Sequence, residues 1–255
     1  MKQLRCVVSL ILLVPGIASA AFDACRAELE RTVREAGIDS QAALEAVAAV
    51  EQRERILELD RSQPEFVRTF QAYLERRVTA ERVERGRELL EEHRDLLERV
   101  HNDFGVPPAY LVAFWGMETA FGDHFGTIPV LDSLATLACD ERRSAFFREQ
   151  FLEAVRIIDR GHMDAAGMEG SWAGAMGHMQ FLPSTYNDHA VDYDDSGRID
   201  IWDSLADAFG SAGRFLANSG WQAGERWGRE VRLPEDFDYR QARLDNEKPL
   251  AQWAA

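Results

Sequence analysis

A mainly α-helical protein is predicted by three observations on this 255-residue chain. Apolar residues recur at three- and four-residue intervals in segment after segment between Leu29 and Leu216, which is the period of a helix with one buried face. Prolines fall at the starts of those segments, as at Pro64, Pro107, Pro108 and Pro183, and not inside them. A single short stretch, Glu230 to Leu233, is a strand candidate.

Residues 1–20 read as a secretory leader. Lys2 and Arg5 precede the apolar run Val7 to Val14, and Ala18-Ser19-Ala20 is a small-residue cleavage site. The run is too short for an ordinary membrane span, and Cys25 lacks the residues that precede a lipidated cysteine, so a soluble, periplasmic export is expected. Removing Lys2 and Arg5 takes the formal charge from -15 to -17, and no basic patch stands out. Nucleic acid is therefore excluded as a partner class. Cys25 and Cys139 remain outside the reducing cytosol; they form either a disulfide, the favoured reading, or two buried thiols.

From Phe22 to Asp60 the pattern is helical and charged, with Leu29, Val33, Leu44, Val47, Val50 and Leu57 as inward positions and Gly37 as a break. A second stretch after Pro64 places Phe66, Phe70, Tyr73 and Leu74 on one face. A third, Thr79 to Phe104, reads as one solvated amphipathic helix. Helices follow at Leu131 to Ala138, Ser144 to Arg160, Ser184 to Ala190 and Ser204 to Leu216, while glycine and small residues dominate from Gly161 to Gly177.

The segment Val106 to Gly122 is an apolar helix with one ionisable side chain near its end, Glu118. Phe114 and Trp115 lie about one turn before it and Phe121 about one turn after, so aromatic rings share its face. Desolvation and the negative end of the helix dipole both disfavour the carboxylate, and a glutamate that holds its proton is what a general acid requires. Further on, Gly170-Ser171-Trp172-Ala173-Gly174-Ala175-Met176-Gly177-His178-Met179-Gln180-Phe181-Leu182-Pro183-Ser184 combines small residues with the hydrogen-bonding groups of Ser171 and Gln180. Trp172 is the best placed tryptophan to stack on a sugar. His101, His162, His178 and His189 lack ligand spacing and read as ordinary surface or loop residues.

Asp192 to Asp203 forms an EF-hand-like calcium loop: Asp192, Asp194 and Ser196 at positions one, three and five, Gly197 at six, and the carbonyl of Arg198 at seven. Position twelve holds Asp203, whose side chain is shorter than the usual glutamate.

Together, Met-Glu-Thr-Ala-Phe-Gly at 117–122 and the long Gly-Ser-Trp motif at 170–184 resemble the lytic murein transglycosylase B family of bacterial cell-wall enzymes. The resemblance covers about Phe22 to Trp221, including Gln63-Pro64-Glu65-Phe66 and Leu134-Ala135-Thr136-Leu137. It implies a lysozyme-like fold with an N-terminal helical lobe (about 22–104), a catalytic core (about 105–221) and peptidoglycan glycan strands as the partner. Glu118 aligns with the sole acid/base of that family, and Ser171, Gln180 and Met176 with the motif lining its groove. The reaction implied is cleavage of the MurNAc–GlcNAc β-1,4 bond with closure of a 1,6-anhydro ring. A hydrolytic lysozyme would instead need a second carboxylate, for which Asp123 and Asp132 are candidates. In the family the last calcium carboxylate comes from the following helix, where Asp207 stands, so Asp207 is favoured over Asp203. The family's catalytic domain usually continues past Trp221 into a Tyr-Asn-x-Ser type segment; residues 222–255 carry none, and a peptidoglycan-binding protein without turnover is the rival reading.

Overall fold

The computed structural model describes residues 16–62, 69–225, 228 and 231–253. Gly37, with φ +78°, interrupts the N-terminal charged stretch as expected, separating α1 (Gly16–Glu35) from α2 (Gln41–Ala48) and α3 (Glu54–Arg61). Ser40 caps α2 by accepting from the Ala43 amide, the interaction that makes serine a good helix start. On α3 the buried apolar residue is Ile56 and not Leu57, because the helix turns Asp60 inward on the same face.

The lobe continues with α4 (Phe70–Arg77), α5 (Ala80–Glu92) and α6 (Arg94–Phe104). The stretch expected as one helix divides at His93, which ends α5 and starts α6. α4 buries nothing, and Phe70 is 77% exposed although its spacing matched a core face. The motif Gln63 to Phe66 lies outside the described residues.

α7 (Pro108–Thr119) leads into α8 (Val130–Ala138), in which every residue is buried, and α9 (Ser144–Asp159), which packs against it. Leu134 and Leu137 of α8 with Phe147, Phe151 and Ile158 of α9 form the centre of the core. α10 (Pro183–His189) and α11 (Leu205–Asn218) cover its far side, where Phe209 and Ala212 are fully buried. Sequence periodicity missed a two-stranded antiparallel ribbon, β1 (Ile128–Pro129) with β2 (Glu169–Gly170), too short to alternate visibly.

Cys25 and Cys139 are disulfide-bonded, with Cα atoms 5.9 Å apart across 114 residues of sequence. Closing a loop of that length restricts the unfolded chain by about 4–5 kcal/mol in the entropy model. Buried Asp60 on α3 pairs with Arg142 at 2.8 Å and with Arg143, fixing the lobe to the loop before α9.

Gln222 to Ala255 is a separate unit, none of whose described residues is buried; it contains a 3-10 turn, Tyr239–Gln241, and α12 (Leu250–Trp253). Of the expected strand, Glu230 lies outside the described residues and Val231 to Leu233 are not in a strand.

Candidate functional site

Helix α7 starts at Pro108, behind Pro107 as its cap, and ends at Thr119, three residues before the expected glycine, Gly122. Ala120, Phe121 and Gly122 all adopt positive φ, at 52°, 64° and 88°. For an alanine and a phenylalanine this conformation costs about 1 kcal/mol or more each. Two contacts hold it: the Gly122 amide donates to Thr119 Oγ1 at 3.1 Å, and the Phe121 ring meets Trp115 edge-on at 5.7 Å. That ring lies over Gly116, where a Cβ would come within 2.5 Å of it, so only glycine fits there.

The turn leaves Glu118 on the last turn of α7, open to solvent and, among the described residues, without a hydrogen bond. Of the aromatic rings expected beside it, Trp115 is buried and packs on Phe209, His178 and Phe121, while Phe114 packs on Phe215. Protein crowding the Glu118 carboxyl still raises its pKa by desolvation, and the positive charge of Arg77 opposes the rise. A carboxyl packed on one side and reachable on the other combines a retained proton with access for a substrate.

The glycine-rich segment forms a folded loop bridged to the end of α7. Thr119 Oγ1 donates to the carbonyl of His178 at 2.9 Å, and Trp115 Nε1 donates to His178 Nδ1 at the same distance. An indole N–H can only donate, so Nδ1 carries a lone pair and His178 is neutral with its proton on Nε2. Burial holds its pKa down at about 4. His178 is therefore an internal strut and not the surface residue its spacing suggested.

Within the loop, Ser171 Oγ accepts from the Ala175 amide at 3.0 Å, and the backbones of Met176 and Phe181 bridge. Gly177, with φ +64°, approaches Ile201 so closely that a Cβ would stand 2.5 Å from its carbonyl oxygen. Gln180, also at positive φ, donates from Nε2 to Phe125 O and Gly177 O. Ser171, Trp172 and Gln180 are half-buried, as groove-lining side chains are; Met176 is fully buried, which corrects its expected place on a groove wall. Its thioether belongs to the core and its backbone shapes the loop.

Of the two carboxylates a hydrolase would need to choose between, Asp132 is already engaged. It is buried on α8, bonded to Arg53 Nε and Nη2 at 2.8 and 2.7 Å and to the Glu51 amide at 2.9 Å. Asp123 is exposed and lines a separate pocket of about 600 Å3 with His124, Glu169 and Asp203.

In the acidic loop, carboxylate oxygens of Asp192, Asp194 and Asp207 lie within 4.8 Å of one another. Asp207 is fully buried near the start of α11, and its oxygens accept from the Tyr193, Asp194 and Asp200 amides. Asp203 is exposed and outside this cluster. Ser196 Oγ donates to the Arg198 carbonyl at 3.0 Å, so the loop presents an all-oxygen donor set of the kind that suits a hard divalent cation. Burial raises the Asp207 pKa, the Asp200 and Tyr193 amides oppose the rise, and the charge of Asp194 adds a smaller push upward.

A transglycosylase SLT domain family profile matches residues 21–255. Membrane-bound lytic murein transglycosylase B of Escherichia coli (strain K12) is 36% identical over 155 residues, covering 60% of this chain and 43% of that protein. SltB3 from Pseudomonas aeruginosa, solved in complex with NAG-NAM-pentapeptide, superposes with a TM-score of 0.86 at 44% identity, over 91% of this chain and 62% of that one. Escherichia coli Slt35, solved in complex with calcium, gives 0.69 at 30% identity, over 81% of this chain and 65% of that one. The chain thus spans less than half the length of the curated relative and under two thirds of SltB3.

Proposed function

This chain belongs to the transglycosylase SLT domain family, and on that premise we propose that it is a lytic transglycosylase of peptidoglycan, a glycosidic-bond lyase with Glu118 as its single acid/base. The observation that carries the reading is a carboxyl with raised pKa and, among the described residues, no hydrogen bond of its own, on a helix end locked to the Ser171–Gln180 loop. Engagement of Asp132 by Arg53 supports a one-carboxylate mechanism over paired-carboxylate hydrolysis.

In that mechanism Glu118 gives its proton to the glycosidic oxygen between MurNAc and GlcNAc. The acetamido oxygen of the muramic residue supports its own anomeric carbon as the bond breaks. Glu118, now ionised, removes the proton from the C6 hydroxyl while that oxygen bonds to the anomeric carbon, closing the 1,6-anhydro ring. The proton count is restored and no water is consumed. Ser171, Trp172 and Gln180 line the groove beside the acid.

The Asp192–Asp207 loop fits a structural calcium ion, held by the carboxylates of Asp192, Asp194 and Asp207, the Ser196 hydroxyl and the Arg198 carbonyl. The ion's contribution there is charge neutralisation; the fold around α11 supplies the positioning. Residues 1–20 serve as the export signal, with the catalytic domain at 21–255 and the periplasm as its place of action. Among the described residues, no helix is long and apolar enough to cross a membrane.

Mass spectrometry of products released from purified sacculi tests the reaction. Anhydromuropeptides are expected; products heavier by one water would establish a hydrolase. Binding to sacculi with no release would establish a peptidoglycan-binding protein without turnover.

A further inference from the structure

Glu118 makes no hydrogen bond among the described residues, so the place of its carboxyl is set by the backbone on either side of it. On one side is the last turn of α7. On the other is Thr119, whose side chain is fully buried and stands where three stretches of backbone meet. Its hydroxyl oxygen accepts from the Gly122 amide at 3.1 Å, closing the left-handed turn, and its carbonyl accepts from the His124 amide at 3.0 Å.

A hydroxyl has one proton to give, and two carbonyls lie within reach of this one. The Trp115 carbonyl, one turn back, is 3.3 Å away and already accepts from the Ala120 and Phe121 amides. The His178 carbonyl is 2.9 Å away. The proton therefore goes across to the loop and not back to the helix's own carbonyl, where a threonine within a helix ordinarily bonds. His178 is held from behind as well, since its amide donates to the Ile201 carbonyl at 3.0 Å. Two residues on stands Gln180, half-buried and in the left-handed conformation. One hydroxyl thus joins the residue beside the acid to the most constrained part of the Ser171–Gln180 loop.

We propose that Thr119 is a positioning residue for the reaction: its hydroxyl fixes the separation between the Glu118 carboxyl and the Ser171–Gln180 loop, so that a sugar seated on the loop meets the acid at proton-transfer distance. The inference rests on the reading of Glu118 as the acid/base and adds to it the group that holds that acid in place. Thr119 acts through Glu118 and not on the sugar.

Two matched pairs of proteins isolate the hydroxyl. Wild type and Thr119→Val differ by a hydroxyl exchanged for a methyl group, and Thr119→Ser and Thr119→Ala differ by the hydroxyl alone. Steady-state release of anhydro product from soluble glycan strands is measured at a temperature where circular dichroism shows each protein folded. Thr119→Val and Thr119→Ala are expected to lower kcat by about 10- to 100-fold, since a misplacement of about 1 Å at a reacting group costs on the order of 10^2-fold. KM should stay within about twofold of wild type, because the interaction lost is one that serves the transition state. Thr119→Ser should bring kcat back to within about threefold of wild type, a rescue and a kcat-against-KM split that lost stability alone does not produce. Should Thr119→Val fail to fold, the Ser and Ala pair carries the comparison. An unchanged kcat without the hydroxyl, a loss that serine does not recover, or a rise in KM at constant kcat overturns the positioning role and leaves the transglycosylase reading standing. Release by Glu118→Gln at the wild-type rate, or no anhydro product from the wild type, overturns the reading beneath it.

Discussion

Two acidic sites in this protein treat their carboxylates in opposite ways. Asp207 is fully buried and accepts from three backbone amides, so its geometry is fixed from every side. Glu118 is open and accepts from nothing described, while the helix end beneath it is held by Thr119, Trp115 and His178. The difference is the one expected between a structural carboxylate and the acid/base proposed for Glu118. Satisfied lone pairs hold shape, whereas a proton in transit needs a carboxyl with room to gain and lose it, on a scaffold fixed elsewhere.

The contrast is broken most severely at Glu118. Glu118→Gln should reduce anhydromuropeptide release by at least about 10^3-fold, since general acid–base groups contribute roughly 10^2–10^4-fold and in the proposed mechanism one residue serves both steps. Its melting temperature should stay close to wild type because no hydrogen bond is lost. Because desolvation raises the Glu118 pKa, the protonated, active form persists to higher pH than for an ordinary glutamate. The activity limb that falls with rising pH should disappear in the Gln variant, as a pH–rate profile on sacculi will show.

At Asp207 the expected pattern reverses. Asp207→Ala orphans three amides in a buried site and should cost about 2–4 kcal/mol by urea denaturation. Treatment of calcium-loaded protein with a chelator should lower its melting temperature, because the carboxylates of Asp192 and Asp194 then repel that of Asp207.

His178 sharpens the comparison through stability and not through rate. Its folded pKa of about 4 lies below the ordinary 6.5, so between those values the unfolded chain binds more protons. The stability is present above pH 6.5 and is lost as pH falls towards 4, by at most about 3 kcal/mol. Urea midpoints across that window should show the loss, and it should shrink in His178→Gln. The smallest effect is expected at Ser171→Ala, about 1 kcal/mol, because the hydroxyl's bond to the Ala175 amide closes a partly exposed loop.

Features written in local residue types were legible in the chain. Pro107 and Pro108 announce α7, Gly37 ends α1, and the spacing of Asp192 and Asp194 marks an acidic loop whose carboxylates the structure gathers with that of Asp207. Features that depend on distant partners were not. Nothing about His178 reveals that an indole 63 residues away donates to it, and nothing about Asp132 reveals Arg53 across 79 residues. Phe70 and Leu74 show the opposite failure: a correct helical period with no core opposite to bury them. The left-handed Ala120 and Phe121 were equally hidden, since both are residues that avoid that conformation unless tertiary contacts impose it.

The bond between Cys25 and Cys139 has one further consequence. Glu118 and all of α2 to α8 lie between its ends, so Glu118 and the helices of the N-terminal lobe from α2 on sit inside one covalent ring. Local melting can loosen that ring but cannot let the two drift apart by more than the slack of the closed chain. The helix end that presents Glu118 and the helices before it are thereby joined by a covalent bond as well as by packing.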